Sequence, residues 1–136
     1  MNVLIVDDQR TSLKIMGKLV TSIGGCPFPF VDPVAALREA QTTAFDLALV
    51  DVRMPVMDGI SFVQVLRSFP ETCNIPVLMV TIDDTDDVRA AALEAGAVGV
   101  VAKPFDYGEL LDRCKTAVLA GERDGSRRLG VHGPSL

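Results

Sequence analysis

Phe45-Asp46-Leu47-Ala48-Leu49-Val50-Asp51-Val52-Arg53-Met54-Pro55-Val56-Met57-Asp58-Gly59 passes from a largely apolar run into a polar turn, and the junction falls at Asp51. A short apolar run bounded by turn residues reads as a buried strand, so Asp51 is a carboxylate placed where strand becomes loop. The same junction recurs elsewhere in the chain. Asp7 and Asp8 follow Val3-Leu4-Ile5-Val6, and Lys103-Pro104 follows Val98-Gly99-Val100-Val101. In a parallel sheet these ends meet at one edge, where clustered acids repel one another and raise each other's pKa unless a cation joins them. A divalent metal together with a phosphoryl group would satisfy three acids and one amine.

Working outward, short apolar runs alternate with segments of helical period, the pattern of βαβ units around a parallel sheet. The first strand is expected at Asn2 to Val6. A helix bearing Leu13, Met16, Leu19, Val20 and Ile23 follows and stops at Gly24-Gly25. Cys26 to Val31 is the weakest strand, because Pro27 and Pro29 remove donors from the same side of the backbone and confine it to a sheet edge. Asp32-Pro33 reads as N-cap and first residue of a helix to about Gln41. Phe45 to Val50 is the third strand, and Phe62, Val63, Leu66 and Phe69 form one face of the helix that Pro70 ends. Ile75 to Val80 delivers Thr81 to the end of the fourth strand. The acids Asp83, Asp84, Asp86 and Asp87 are read as helix-start chemistry for a helix over Asp86 to Ala95, stopped at Gly96. Ala97 to Val101 is the fifth strand, and Asp106 with Glu109 resembles a capping box for a last helix carrying Leu110, Leu111, Cys114 and Val118. One domain over residues 1–120 is expected, with 121–136 a linker or flexible tail.

The 136 residues suffice for a single hydrophobic core. Formal charge is −5, from 13 basic and 18 acidic side chains, and the basic ones are scattered except for Arg123, Arg127 and Arg128. Nothing there tracks a phosphate backbone, so no direct nucleic-acid binding is expected. Cys26, Cys73 and Cys114 are odd in number and far apart, which suggests neither a disulfide framework nor a zinc site. No targeting segment or membrane span is visible, and a reducing cytoplasm is the expected location.

Taken together, Asp7-Asp8, Asp51 within its D-x-R-M-P-x-M-D-G run, Thr81 and Lys103-Pro104 resemble the receiver domain of two-component response regulators, over residues 2 to 119. The resemblance implies an α/β, flavodoxin-like (βα)5 fold: a doubly wound, five-stranded parallel sheet in the order 2-1-3-4-5, for which the chemotaxis member of this family is a worked example. It implies that Asp51 is the phosphoacceptor, attacking a phosphohistidine to form an acyl phosphate. Asp8, Asp51 and the backbone carbonyl of Arg53 would hold Mg²⁺ or Mn²⁺ directly, with Asp7 holding a metal-bound water. Lys103 would pair with Asp51 at rest and with a phosphoryl oxygen afterwards, and the Thr81 hydroxyl would bond another. The single histidine, His132, lies in the expected tail, so the donor must be a separate histidine kinase or histidine phosphotransfer protein. With so short a tail, the chain is expected to be a stand-alone receiver or the N-terminal part of a longer regulator.

Two positions depart from the family. Most receivers carry Phe or Tyr three residues before the lysine, where this chain has Val100. Ile82, next to Thr81, replaces a small residue and is expected to narrow access to Asp51. The resemblance implies that the fourth helix, fifth strand and fifth helix form a face for homodimers or partners; Val88, Ala91, Ala92, Val100 and Tyr107 are read as an apolar surface there, beside the competing reading that such alanines and valines pack the helix onto the sheet. The same sheet-edge acids admit three rival functions. A haloacid-dehalogenase-type phosphatase needs an acid two residues after its nucleophile, where Arg53 stands. A flavodoxin-like cofactor binder would set Asp7 and Asp8 against a phosphate. A receiver-like adaptor that binds partners without phosphorylation is the remaining alternative.

Overall fold

The computed structural model describes residues 1–123. Five strands and five helices alternate: β1 (Asn2–Val6), α1 (Arg10–Ser22), β2 (Cys26–Phe30), α2 (Pro33–Thr42), β3 (Leu47–Val50), α3 (Gly59–Ser68), β4 (Val77–Thr81), α4 (Asp86–Ala95), β5 (Gly99–Ala102) and α5 (Tyr107–Arg123). All pairings are parallel, and the sheet order is β2-β1-β3-β4-β5. That is the expected order.

Alternation along each strand builds two cores. Leu4, Val6, Ala48, Val50, Val77, Met79 and Val100 face α2, α3 and α4, while Val3, Ile5, Leu47, Leu49, Leu78, Val80 and Val101 face α1 and α5. Strands buried on both faces are therefore nearly continuous in apolar residues, as parallel sheets require. The carboxyl ends of β1, β3, β4 and β5 all emerge at one edge, which brings Asp7, Asp51, Thr81 and Lys103 within reach of one another.

Side-chain caps set where several helices begin. Asp32 accepts from the Val34 amide at 2.9 Å, Asp58 from the Ser61 amide at 2.8 Å and Thr85 from the Val88 amide at 3.2 Å. Asp106 accepts from the amides of Gly108 at 2.8 Å and Glu109 at 3.3 Å, the forward half of the expected capping box. Gly96, at φ 114°, closes α4 in the left-handed region.

At β2 the amide of Cys26 donates to the Met1 carbonyl at 2.7 Å, and the Phe30 carbonyl accepts from Asp7 at 3.1 Å. Residues 26 and 30 thus turn their backbone toward β1, and Pro27 and Pro29 turn theirs outward, as the proline spacing predicts.

Some expectations are corrected. Phe69 is not on the buried face of α3 but caps its end, 44% exposed. Leu66, followed by Arg67, is the last buried apolar residue of that face, and Arg67 donates to the carbonyls of Cys73 at 3.0 Å and Gly96 at 2.8 Å. Val88, Ala92 and Val100 are packed in the core and do not make a surface, leaving Ala91 and Tyr107 exposed. The last helix continues through Gly121 to Arg123, because one glycine inside a long helix costs only about 1 kcal/mol and does not stop it. His132 and the rest of the expected tail lie outside the described residues. Among the described residues, no helix is long and apolar enough to cross a membrane.

Candidate functional site

Asp51 follows the last residue of β3, and its amide donates to the Val6 carbonyl at 2.9 Å, which fixes it beside the end of β1. Its position also depends on Gly59. A Cβ there would lie 2.1 Å from the Asp51 carbonyl oxygen, so the first turn of α3 packs onto the backbone of Asp51 with room for a hydrogen only. The loop between them turns at Val56, whose φ of 73° is uncommon for a β-branched residue and whose side chain is almost wholly exposed.

Asp7, at the end of β1, is fully buried, and Asp8 beside it is exposed. One carboxylate oxygen from each of Asp7, Asp8 and Asp51 lies within 4.8 Å of the others. Lys103, at the end of β5, reaches across two strands with its amine 2.6 Å from Asp7 Oδ2, 3.6 Å from Asp51 Oδ2 and 3.2 Å from Ser12 Oγ. Its closer partner is therefore Asp7. The fully buried carboxylate is the one whose charge is most costly without a counter-ion, and Lys103 supplies it. Ser12 is a contact that sequence reading missed; its place in the first turn of α1 was legible, but its direction was not.

Burial pushes the Asp51 pKa above the ordinary carboxylate value. Lys103 opposes that shift, Asp7 adds to it, and the Arg53 amide and Thr81 hydroxyl favour the charged form. The Arg53 amide points at Asp51 Oδ1 from 3.4 Å. Thr81 is fully buried at the end of β4, and its Oγ1 accepts from the Asp83 amide at 3.0 Å. That leaves the hydroxyl proton free to point toward Asp51. The Arg53 Nε in turn donates to Asp83 Oδ2 at 2.5 Å, and a terminal guanidinium nitrogen of Arg53 also pairs with the same oxygen. Asp83 is thereby tied to the site, whereas the sequence reading placed it among helix-start acids. Asp84 pairs with Arg89 at 2.6 Å, and Asp86 and Asp87 occupy the first turn of α4 as expected.

Ile82, next to Thr81, is 73% exposed. Val100 is buried against the sheet, so no aromatic side chain occupies that position of β5.

Three oxygens of two buried and one exposed carboxylate suit a small hard divalent cation. The arrangement as a whole joins a nucleophilic carboxylate, a fixed cation and a hydroxyl donor around an acid cluster. Such a set can accept an electrophilic phosphoryl group and neutralise its oxygens.

Comparisons with known proteins agree with this arrangement. The family model for the response regulator receiver domain matches residues 3–115. The chain is 37% identical over 116 residues to the cyclic di-GMP phosphodiesterase response regulator RpfG of Xanthomonas campestris pv. campestris, covering 84% of this chain and 31% of RpfG. It thus spans about a third of that relative's length. Among solved structures, chemotaxis protein CheY4 of Vibrio cholerae superposes with a TM-score of 0.81 at 30% identity, covering 85% of this chain and 97% of CheY4. The receiver domain of sensor histidine kinase PA1611 of Pseudomonas aeruginosa PAO1, with a magnesium ion coordinated in its active-site cleft, gives 0.79 at 26% identity, covering 86% and 96%.

Proposed function

The chain belongs to the response regulator receiver domain family of two-component systems, and we propose that it accepts a phosphoryl group from a phosphohistidine onto Asp51 and so switches its partner interactions. The family is a signalling one, and the phosphodiesterase activity named for RpfG belongs to that longer protein. The observation that carries the proposal is the meeting of Asp51, Asp7, Asp8, Thr81 and Lys103 at one sheet edge from four separate strands.

An oxygen of Asp51 attacks phosphorus in line, the donor's N–P bond breaks, and its electron pair remains on the imidazole nitrogen. Lys103 and the Thr81 hydroxyl are the chain's own donors for the transferred oxygens. Lys103 also opposes the rise in the Asp51 pKa that burial causes, which favours the ionised form the attack needs. Asp8, Asp51 and the Arg53 carbonyl would hold Mg²⁺ or Mn²⁺, with Asp7 beside them. Such an ion supplies positive charge to the phosphoryl oxygens when bound. Hydrolysis reverses the state: water attacks phosphorus, the bond to Asp51 breaks, and its carboxylate leaves.

The donor in this reading is a histidine kinase or histidine phosphotransfer protein, the class that supplies phosphohistidine to this family. Incubation with a phosphorylated histidine phosphotransfer protein tests this. Label should move to this chain, resist mild acid and be lost in hydroxylamine, as an acyl phosphate is. Label that stays on the donor in the presence of Mg²⁺ supports the adaptor reading instead.

A further inference from the structure

Away from the acceptor site, α1 carries features that the fold does not call for. Arg10, Lys14 and Lys18 follow one another at four-residue spacing, which sets three exposed cations in a row along one face of the helix, about 6 Å apart. Like charges at that spacing repel, and a cation in the first turn opposes the helix dipole. No acid stands in that turn, and none of the three cations has an ion-pair partner among the described residues. The row therefore weakens α1. Gly17 weakens it again, because a glycine inside a helix destabilises it relative to alanine. Packing does not demand that glycine: a Cβ there would meet only Pro27 Cβ, at 3.9 Å, an ordinary contact.

These features border one groove of about 520 Å³ between α1 and the edge strand β2. Leu13 and Gly17 line it from α1, and Pro27, Pro29, Val31 and Ala35 line it from β2 and the start of α2. Arg10 and Lys14 border this apolar lining, and Lys18 continues their row one turn on. The carboxylate of Asp32, also at the groove, accepts from the Val34 amide at 2.9 Å. Because β1 stands between β2 and β3, the groove is separate from Asp51.

An occupant has to bring negative charge to the row and apolar side chains to the floor. Residues 124–136 of this chain do not, since they hold Arg127 and Arg128 against one acid, Asp124. Strand addition is disfavoured too, because Pro27 and Pro29 turn nitrogens without hydrogens to the free edge. A helix lying beside α1 repeats the step of the row with acids four residues apart. We propose that the groove is a docking site for an acidic amphipathic helix of a partner protein, its carboxylates along Arg10, Lys14 and Lys18 and its apolar face over Gly17 and the prolines.

A synthetic helical peptide with glutamates four residues apart beside a leucine and alanine face serves as the probe, and the same peptide with lysine for glutamate as its control. By fluorescence anisotropy the full chain should bind the glutamate peptide, more weakly as salt is added, and not the lysine peptide. Lys14→Glu should weaken binding about fivefold and Gly17→Leu about tenfold or more, the first by reversing charge and the second by filling the floor. Lys14→Glu and Gly17→Ala should also raise the urea midpoint, because each relieves a feature that weakens the helix. Lost binding in a more stable protein cannot come from unfolding. No preference for the glutamate peptide, or wild-type affinity in both Lys14→Glu and Gly17→Leu, would overturn the proposal. A lowered midpoint for Gly17→Ala would do the same, since the glycine would then serve the fold. Self-association of the free chain that Lys14→Glu abolishes would overturn it in favour of a second copy as the occupant.

Discussion

At the scale of single residues, the energetics centre on a carboxylate held in an unfavourable place. Burial raises the pKa of Asp51, so folding makes its charged form less favourable than it is in the unfolded chain. The stabilising contribution of its protonation is fully present below the unfolded carboxylate value, about 3.9, and is lost as pH rises through the raised folded value. Asp51→Asn should therefore raise the melting temperature at neutral pH. The gain should shrink as pH falls from neutral into the acid range, as the native carboxylate also takes up a proton. Thermal melts of both proteins across that range check it, and a gain that is constant with pH would point to repacking. Gly59 makes a second residue-scale demand. Gly59→Ala would push a methyl into the Asp51 carbonyl and Met79 Cε, costing at least about 2 kcal/mol in urea unfolding. A cost below about 0.5 kcal/mol would mean the α3 turn can yield. The strand-end identities of Asp7, Asp51, Thr81 and Lys103 were legible in sequence, because polar residues at the close of apolar runs are conspicuous. The roles of Ser12 and Asp83 were not, since a serine in a first helical turn and an acid before a helix each have a local explanation that hides a long-range contact.

At the scale of elements, boundaries followed the punctuation of the chain, and the exceptions have physical causes. Proline and capping residues marked the starts of α2, α3 and α4, and Gly96 the end of α4. Gly121 did not end α5, and Phe69 left its helical face because it precedes Pro70 and is extended, at φ −115° and ψ 138°. Apolar residues on α4 and β5 cannot be assigned to surface or core from composition, because a helix packed on a sheet needs small side chains for either purpose. Strand β2 yields a test of its own. With Pro27 and Pro29 turned outward, the free edge offers carbonyls without matching donors, which blunts strand addition by another chain. Replacing both prolines with valine should leave the sheet order intact and increase self-association at high protein concentration. Light scattering would show it, and an unchanged monomer mass would mean that other features protect the edge.

At the scale of the whole molecule, the sheet order follows from connection rules and the proline edge, and it makes the site. Four strand ends separated by nearly a hundred residues converge because every crossover returns the chain to the same direction. Fold and constellation were thus legible together, each supporting the other. Less was legible about how the site is read out, since Val100 is buried where the family commonly carries an aromatic side chain. The central claim is that this convergence makes Asp51 a phosphoryl acceptor. Intact-mass measurement after incubation with acetyl phosphate and Mg²⁺ tests it most directly. The account predicts a gain of one phosphoryl group that is absent in Asp51→Asn; an unchanged wild-type mass, or an equal gain in the folded variant, would contradict it.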